Sequence, residues 1–309
     1  MDVVSAESLK GCCLESLAVR VLGTSDAKGK AALSLAIYEA WRGGLLVLNA
    51  EHSPEVAVPA SPARPAAVVH VHPSRVKSSS KRHMLHALCH AESYAIDLSW
   101  DIIARFGWSP ATWAPALPAA YSSPCLPREF FDDWVRVAAE EAGHFSRWCA
   151  RLEELGGAYG LYPAHGSLWE SAQDTSHSLA ARLAVVHAVH EGRGLDVAAT
   201  LHAKLAAGGD TASSAILTAN LAEEVTHVAA GVKWLKQLAA WGGQEPIPLF
   251  HSLVRAHFHG ALRPPFATRE RGEAGMSEEW YLPLCAPPAE GGAEAAAAAV
   301  VELTAEDMG

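Results

Sequence analysis

Two Glu-x-x-His units, Glu141-Ala-Gly-His144 and Glu224-Val-Thr-His227, stand far apart in the chain, and each follows a helix-forming stretch with one further in-line glutamate, Glu92 and Glu191 respectively. Residues three apart on a helix share a face, so the Glu and His of each unit can address one metal ion or two neighbouring ions. The order Glu, Glu-x-x-His, Glu, Glu-x-x-His is the ligand set of a di-iron or di-manganese four-helix bundle. Four carboxylates neutralise two divalent cations. The same four acids turned into a bundle interior without metal would repel one another and lose their hydration. The expectation is therefore an all-α chain whose core is organised around two metal ions.

The apolar periodicity places these residues inward. A helix expected from about Ser80 to Phe106 carries Leu85, Leu88, Ile96, Ser99 and Ile103 as a stripe, and Glu92 falls inside it. The next helix, from Pro127 or Arg128 to Leu155, aligns Trp134, Val137, Glu141, His144 and Trp148, while Glu140 lies about 100° away. Ser167-Leu-Trp-Glu170 has capping-box spacing for a third helix, expected to end near Gly192 with Leu179, Leu183, His187 and Glu191 inside. A short helix then starts at Asp196 and stops at Gly208-Gly209. Asp210 caps the fourth helix, whose inner face is Leu217, Asn220, Glu224, His227, Gly231 and Trp234, with Glu223 off that face.

Around this core, expected over about 80–241, the first fifty residues read as two accessory helices, Ser5 to Val21 and Asp26 to Trp41. The proline-spaced run Pro54 to Pro73 forbids a helix and reads as an extended strap. Pro110 to Pro127 reads as a proline-rich connection and Leu249 to His259 as a further helix. Residues 1–285 thus make one domain, followed from Ala286 by a proline-, glycine-, alanine- and acid-rich tail expected to be mobile.

Composition removes several other classes. Half of the 309 residues are hydrophobic, which supplies a sizeable core, and a net charge of -10 disfavours broad binding to nucleic acid or anionic membrane. The chain begins without a basic region followed by an apolar one and has no run long enough to span a bilayer, so a soluble cytoplasmic protein without a membrane partner is expected. Six cysteines without a C-x-x-C pair read as reduced, mostly buried thiols. No H-E-x-x-H zinc-protease motif occurs. His90-Ala-Glu92 with Pro124-Cys125 falls short of a zinc deaminase because Arg128 occupies the place of the second cysteine. His70-Val-His72 reads as surface. His187 either orients Glu191 through a hydrogen bond or packs in the core, His90 faces away from Glu92, and His165 either reaches the site from its connector or fixes the loop by a hydrogen bond. Trp134, Trp148 and Trp234 read as packing.

Several runs resemble one family. HALCHAESYAIDLSWDIIARF, FFDDWVRVAAEEAGHF, YGLYPAHGSLWE, GRGLD, EEVTHVAAGVKW and RPPF are similar to the ferritin-like family called domain of unknown function 455, from about Leu17 to Leu282. The resemblance implies a ferritin-like bundle and carries the metal positions onto Glu92, Glu141, His144, Glu191, Glu224 and His227. Where that family has an acid and an alanine before the arginine of its R-G-L-D run, this chain reads His190-Glu191-Gly192-Arg193, which keeps the glutamate.

Three functions follow as expectations. The first is an oxygen-activating di-iron oxidase or hydroxylase with manganese or a mixed pair as alternatives, dioxygen as co-substrate and the six ligands as its catalytic apparatus. Its substrate is a small molecule or, through the basic residues Arg75 to Arg82, a tRNA; its electrons come from a separate reductase, because the chain has no flavin or nicotinamide motif. The second is iron handling, as ferroxidase or in peroxide detoxification. The third is a scaffold stabilised by metal without catalysis.

Overall fold

The computed structural model describes residues 4–48, 57–76, 80–108 and 126–285. Among these the chain is all-α, and backbone pairing outside the helices is limited to isolated bridges such as Cys13 with Val47 and His70 with Ala164. The connection around Pro110 and the tail after Ala286 lie outside the described residues. The chain divides into two compact units, Met1–Val71 with Leu85–Trp169, and His72–Met84 with Glu170–Gly309.

In the first unit, α1 (Leu14–Leu22) and α2 (Ala27–Arg42) precede the strap, most of α3 (Lys81–Phe106) and all of α4 (Arg128–Glu154). α1 begins nine residues later than the sequence suggests. Gly11 takes a positive φ of 77° and its N–H donates to the Leu45 carbonyl at 2.7 Å, so the backbone here pairs with 45–47 instead of coiling. α2 starts as expected, with the Asp26 carboxylate accepting from the Gly29 N–H at 2.9 Å. The strap is extended over its described part; the Val71 N–H donates to the Ala164 carbonyl at 2.8 Å, and the Ala164 N–H donates to the Val69 carbonyl at 3.0 Å.

The strap also delivers Arg64 into the unit. Asp97, fully buried on α3, accepts from Lys30 of α2 at 2.5 Å and from Arg64, which also bonds Ser93 and stacks its guanidinium 3.7 Å over the Tyr94 ring. One carboxylate therefore ties α2, the strap and α3 together. Such a cluster is costly to break, because removing the shared acid leaves two cations without a counter-ion. It forms beside an apolar core that includes Trp100, Trp134 and Trp148.

The expected third helix is broken into several elements, most of them in the second unit. α5 (Ser167–Asp174) ends in a turn, α6 (Leu179–Ala184) runs into a π-helical segment (Val185–His190), and α7 (Glu191–Ala207) continues from it. The buried Arg182 closes α5 by donating to the Ala172 carbonyl at 2.5 Å and to the Thr175 hydroxyl at 2.9 Å. The expected stop at Gly192 and restart at Asp196 do not occur. A Cβ on Gly192 would lie 2.8 Å from the Arg271 guanidinium, so glycine is there for close approach. Asp196 is not a cap because both its oxygens bond Arg271, at 2.8 and 2.7 Å. α8 (Thr211–Trp241) begins on the Asp210 cap, which accepts from the Ser213 N–H at 3.0 Å. α9 (Pro246–His257), α10 (Thr268–Glu273) and α11 (Glu278–Tyr281) complete the unit.

Candidate metal centre

In the first unit α3 and α4 bring three of the expected ligands together. Glu92, Glu141 and His144 each offer a donor atom, and these lie within 4.8 Å of one another. His144 Nδ1 stands 3.3 Å from Glu141 Oε2 and 3.8 Å from Glu92 Oε2. Glu141 and His144 are completely buried. Glu140 points elsewhere, accepting from Arg136 Nη1 at 2.7 Å on the partly exposed side of α4. The face chosen from the stripe is thus the inward one, and its neighbour serves as an internal control.

The second unit repeats half of this pattern. On α8, His227 Nδ1 stands 3.3 Å from Glu224 Oε2, the same separation as in the α4 unit. Glu191 is the first residue of α7, directly after the π segment. Among the described residues it does not form with Glu224 and His227 a trio as tight as that of the first unit. Gly231, one turn after His227, lets the two helices meet, since a Cβ there would collide with the backbone carbonyl of His187. His187 is buried, and burial, followed by the charge of Arg182, holds its imidazole well below its ordinary pKa.

The surroundings resolve several open readings. His90 Nε2 lies 3.1 Å from the His165 carbonyl, which only accepts, so this nitrogen carries the proton and Nδ1 accepts from the Tyr159 hydroxyl at 3.0 Å. Burial and then Arg64 push His90 well below its ordinary pKa, in keeping with a neutral ring that braces the connector. The His165 residue enters this contact through its backbone carbonyl and not through its ring. His70 approaches the Tyr94 hydroxyl at 3.3 Å, and His72 caps the turn Pro73–Arg75. Trp134, Trp148 and Trp234 are core residues. Of the basic residues near the start of α3, Lys81 is engaged by Asp210 at 3.1 Å.

The donor set suits a metal. Carboxylate oxygens with imidazole nitrogen fit iron, manganese or zinc, and a carboxylate removed from water is stabilised by a cation beside it. Asn220 adds a signal that the sequence alone did not weigh. It precedes Glu224 by one turn on the same face of α8, is 3% exposed, and neither its amide nitrogen nor its oxygen has a hydrogen-bond partner among the described residues. A buried amide with both polar atoms unsatisfied calls for a polar ligand or water next to it.

Fold and site together define an all-α protein with a buried glutamate and histidine cluster able to hold a metal ion. Its lineage agrees with the motif runs: the model of a family described as "Protein of unknown function (DUF455)" matches residues 23–282, and the chain belongs to that family. A Haemophilus influenzae protein described as "Uncharacterized protein" is 35% identical over 194 residues, a match covering 63% of this chain and 64% of the relative. The chain thus spans a little less than two thirds of that relative's length. No solved structure matches. Among the described residues no helix is long and apolar enough to cross a membrane.

Proposed function

We propose that the chain is a ferritin-like, dinuclear carboxylate protein in which Glu92, Glu141, His144, Glu191, Glu224 and His227 together hold two divalent ions, most suitably iron, for oxygen-dependent oxidation of a substrate. The observation that carries this reading is the repeated Glu-x-x-His geometry, at 3.3 Å in both helices, with one member of the pair completely buried and joined by Glu92. Two iron ions would supply the coordination sites and redox chemistry for dioxygen, with their electrons replenished by a separate reductase. The chain's own residues do the rest. Glu141 and His144 fix ligand direction from the buried face of α4, the tryptophans of that face keep water away from them, and Asn220 presents an amide on the Glu224 face. Ferritin-like architecture, the iron pair and a cytoplasmic site of action belong to this proposal.

The test is metal content followed by oxygen uptake. Protein grown with iron and manganese should carry about two ions per chain. Glu141→Ala should lose most of them, and Glu140→Ala should lose none. The reverse outcome would sink the assignment of the inner face, and wild-type protein without stoichiometric metal would leave only a scaffold. Mixing the diferrous protein with oxygen then separates oxidase from iron handling: substrate-accelerated uptake supports the first, and iron loading beyond two per chain the second.

A further inference from the structure

Away from the acidic centre, the second unit gathers three histidines and an aspartate from two segments. α5 ends at Asp174 and the following turn presents His177; α9 ends at His257, and the chain leaves it extended through Phe258 (φ -101°, ψ 113°) to His259. The Phe258 ring meets that of His190 edge-on with centres 5.5 Å apart. The rings of His177 and His257 lie 5.2 Å apart at a tilt of 58°, and His259 Nε2 lies 3.3 Å from Asp174 Oδ2.

We propose that His177, His257, His259 and Asp174 form a second metal site, for a single divalent ion of the zinc class. Two imidazoles on one tetrahedral zinc, at metal to nitrogen distances of about 2.0–2.1 Å, hold their ring centres about 5 Å apart. That is the spacing His177 and His257 already have. The remaining two donors complete a tetrahedron of nitrogen and oxygen ligands suited to zinc. As they stand the four form two pairs, and the proposal requires the exposed His259 and Asp174 side chains to turn toward His177 and His257.

An ion here would pin the end of α5 to the end of α9. Through Phe258 it would also bear on His190, the residue before Glu191. The site needs no contribution from the acidic centre and stands whether or not that centre holds iron.

The experiment uses full-length protein stripped with chelator, equilibrated with zinc, freed of excess by gel filtration and analysed for metal. In a Glu141→Ala/Glu224→Ala background, which disables the acidic centre, one zinc per chain should remain, and His257→Ala or His177→Ala should remove it. Zinc should raise the melting temperature of that background, and the rise should vanish in the histidine variants. These side chains lie at the surface, so melting in chelator should be unchanged and a folding defect is separable. Equal zinc in the background and in its His257→Ala derivative would overturn the proposal.

Discussion

The Glu-x-x-His unit of α4 and that of α8 share a local geometry and differ in their surroundings. Glu141 is 1% exposed along its side chain and Glu224 is 18% exposed, although each stands 3.3 Å from its histidine. α4 has a regular partner in α3, braced by the Lys30, Asp97 and Arg64 cluster and by the His90 to Tyr159 hydrogen bond. α8 packs instead on a stretch whose winding changes just before Glu191, with Gly231 at the contact. The spacing of a motif thus sets its internal distance, while neighbouring elements decide how firmly and how dryly it is held. On this comparison the α4 motif is the more deeply buried of the two and the α8 motif the more exposed.

The comparison is broken most decisively by metal analysis. Glu141→Ala should abolish most binding, whereas Glu224→Ala should retain roughly one ion of the pair with weakened affinity; equal losses would mean that the two ends are equivalent. Next in size is Asp97→Ala, which strands Lys30 and Arg64 and should cost about 3–5 kcal/mol in urea unfolding. A smaller contrast comes from two glycines. Gly231→Ala forces the His187 carbonyl aside and should destabilise by about 1–3 kcal/mol. Gly143→Ala meets nothing closer than Arg147 at 3.7 Å and should stabilise α4 by about 0.5–1 kcal/mol. If both behave alike, the close contact at α8 is not a constraint.

The smallest effect is at the α8 cap. Asp210→Ala should cost about 1 kcal/mol near neutrality. Burial works to raise the Asp210 pKa, but the Ser213 N–H and hydroxyl together with Lys81 outweigh it and hold it at about 2, below the usual 3.8. A carboxyl with a depressed folded pKa stabilises above its unfolded value and loses that contribution as pH falls toward its folded value. The difference between wild type and variant should therefore shrink from pH 4 to about 2, and a pH-independent difference would count against the charged cap.

The elements that sequence alone placed well are those whose signals are local. α3, α4 and α8 have long stripes, a cap such as Ser80 or Asp210, and a closing glycine, and they begin and end within a residue or two of expectation. The inward choice of Glu141 over Glu140 was legible for the same reason. What failed was decided far away in the chain. Asp196 has the composition of a cap, yet Arg271 claims it from 75 residues on. Gly192 has the composition of a stop, yet it makes room for that same arginine. The strap was recognised from its prolines, whereas the insertion of Arg64 toward Asp97 was not, because a lone arginine among prolines carries no periodic signal. Asp97 itself, an acid within a helix rich in buried residues, was the available clue.

The π segment at Val185–His190 can also be seen as a shift of phase. A π turn holds one more residue than an α turn, and a residue occupies about 100° of rotation and 1.5 Å of rise. Because the wide turn absorbs that residue, α6 and α7 keep close to the relative direction that a regular helix one residue shorter would give them, while the apolar pattern in the sequence slips by one position. Deleting a single codon there would therefore restore uninterrupted α-helix and leave the faces of α6 and α7 aimed much as they are.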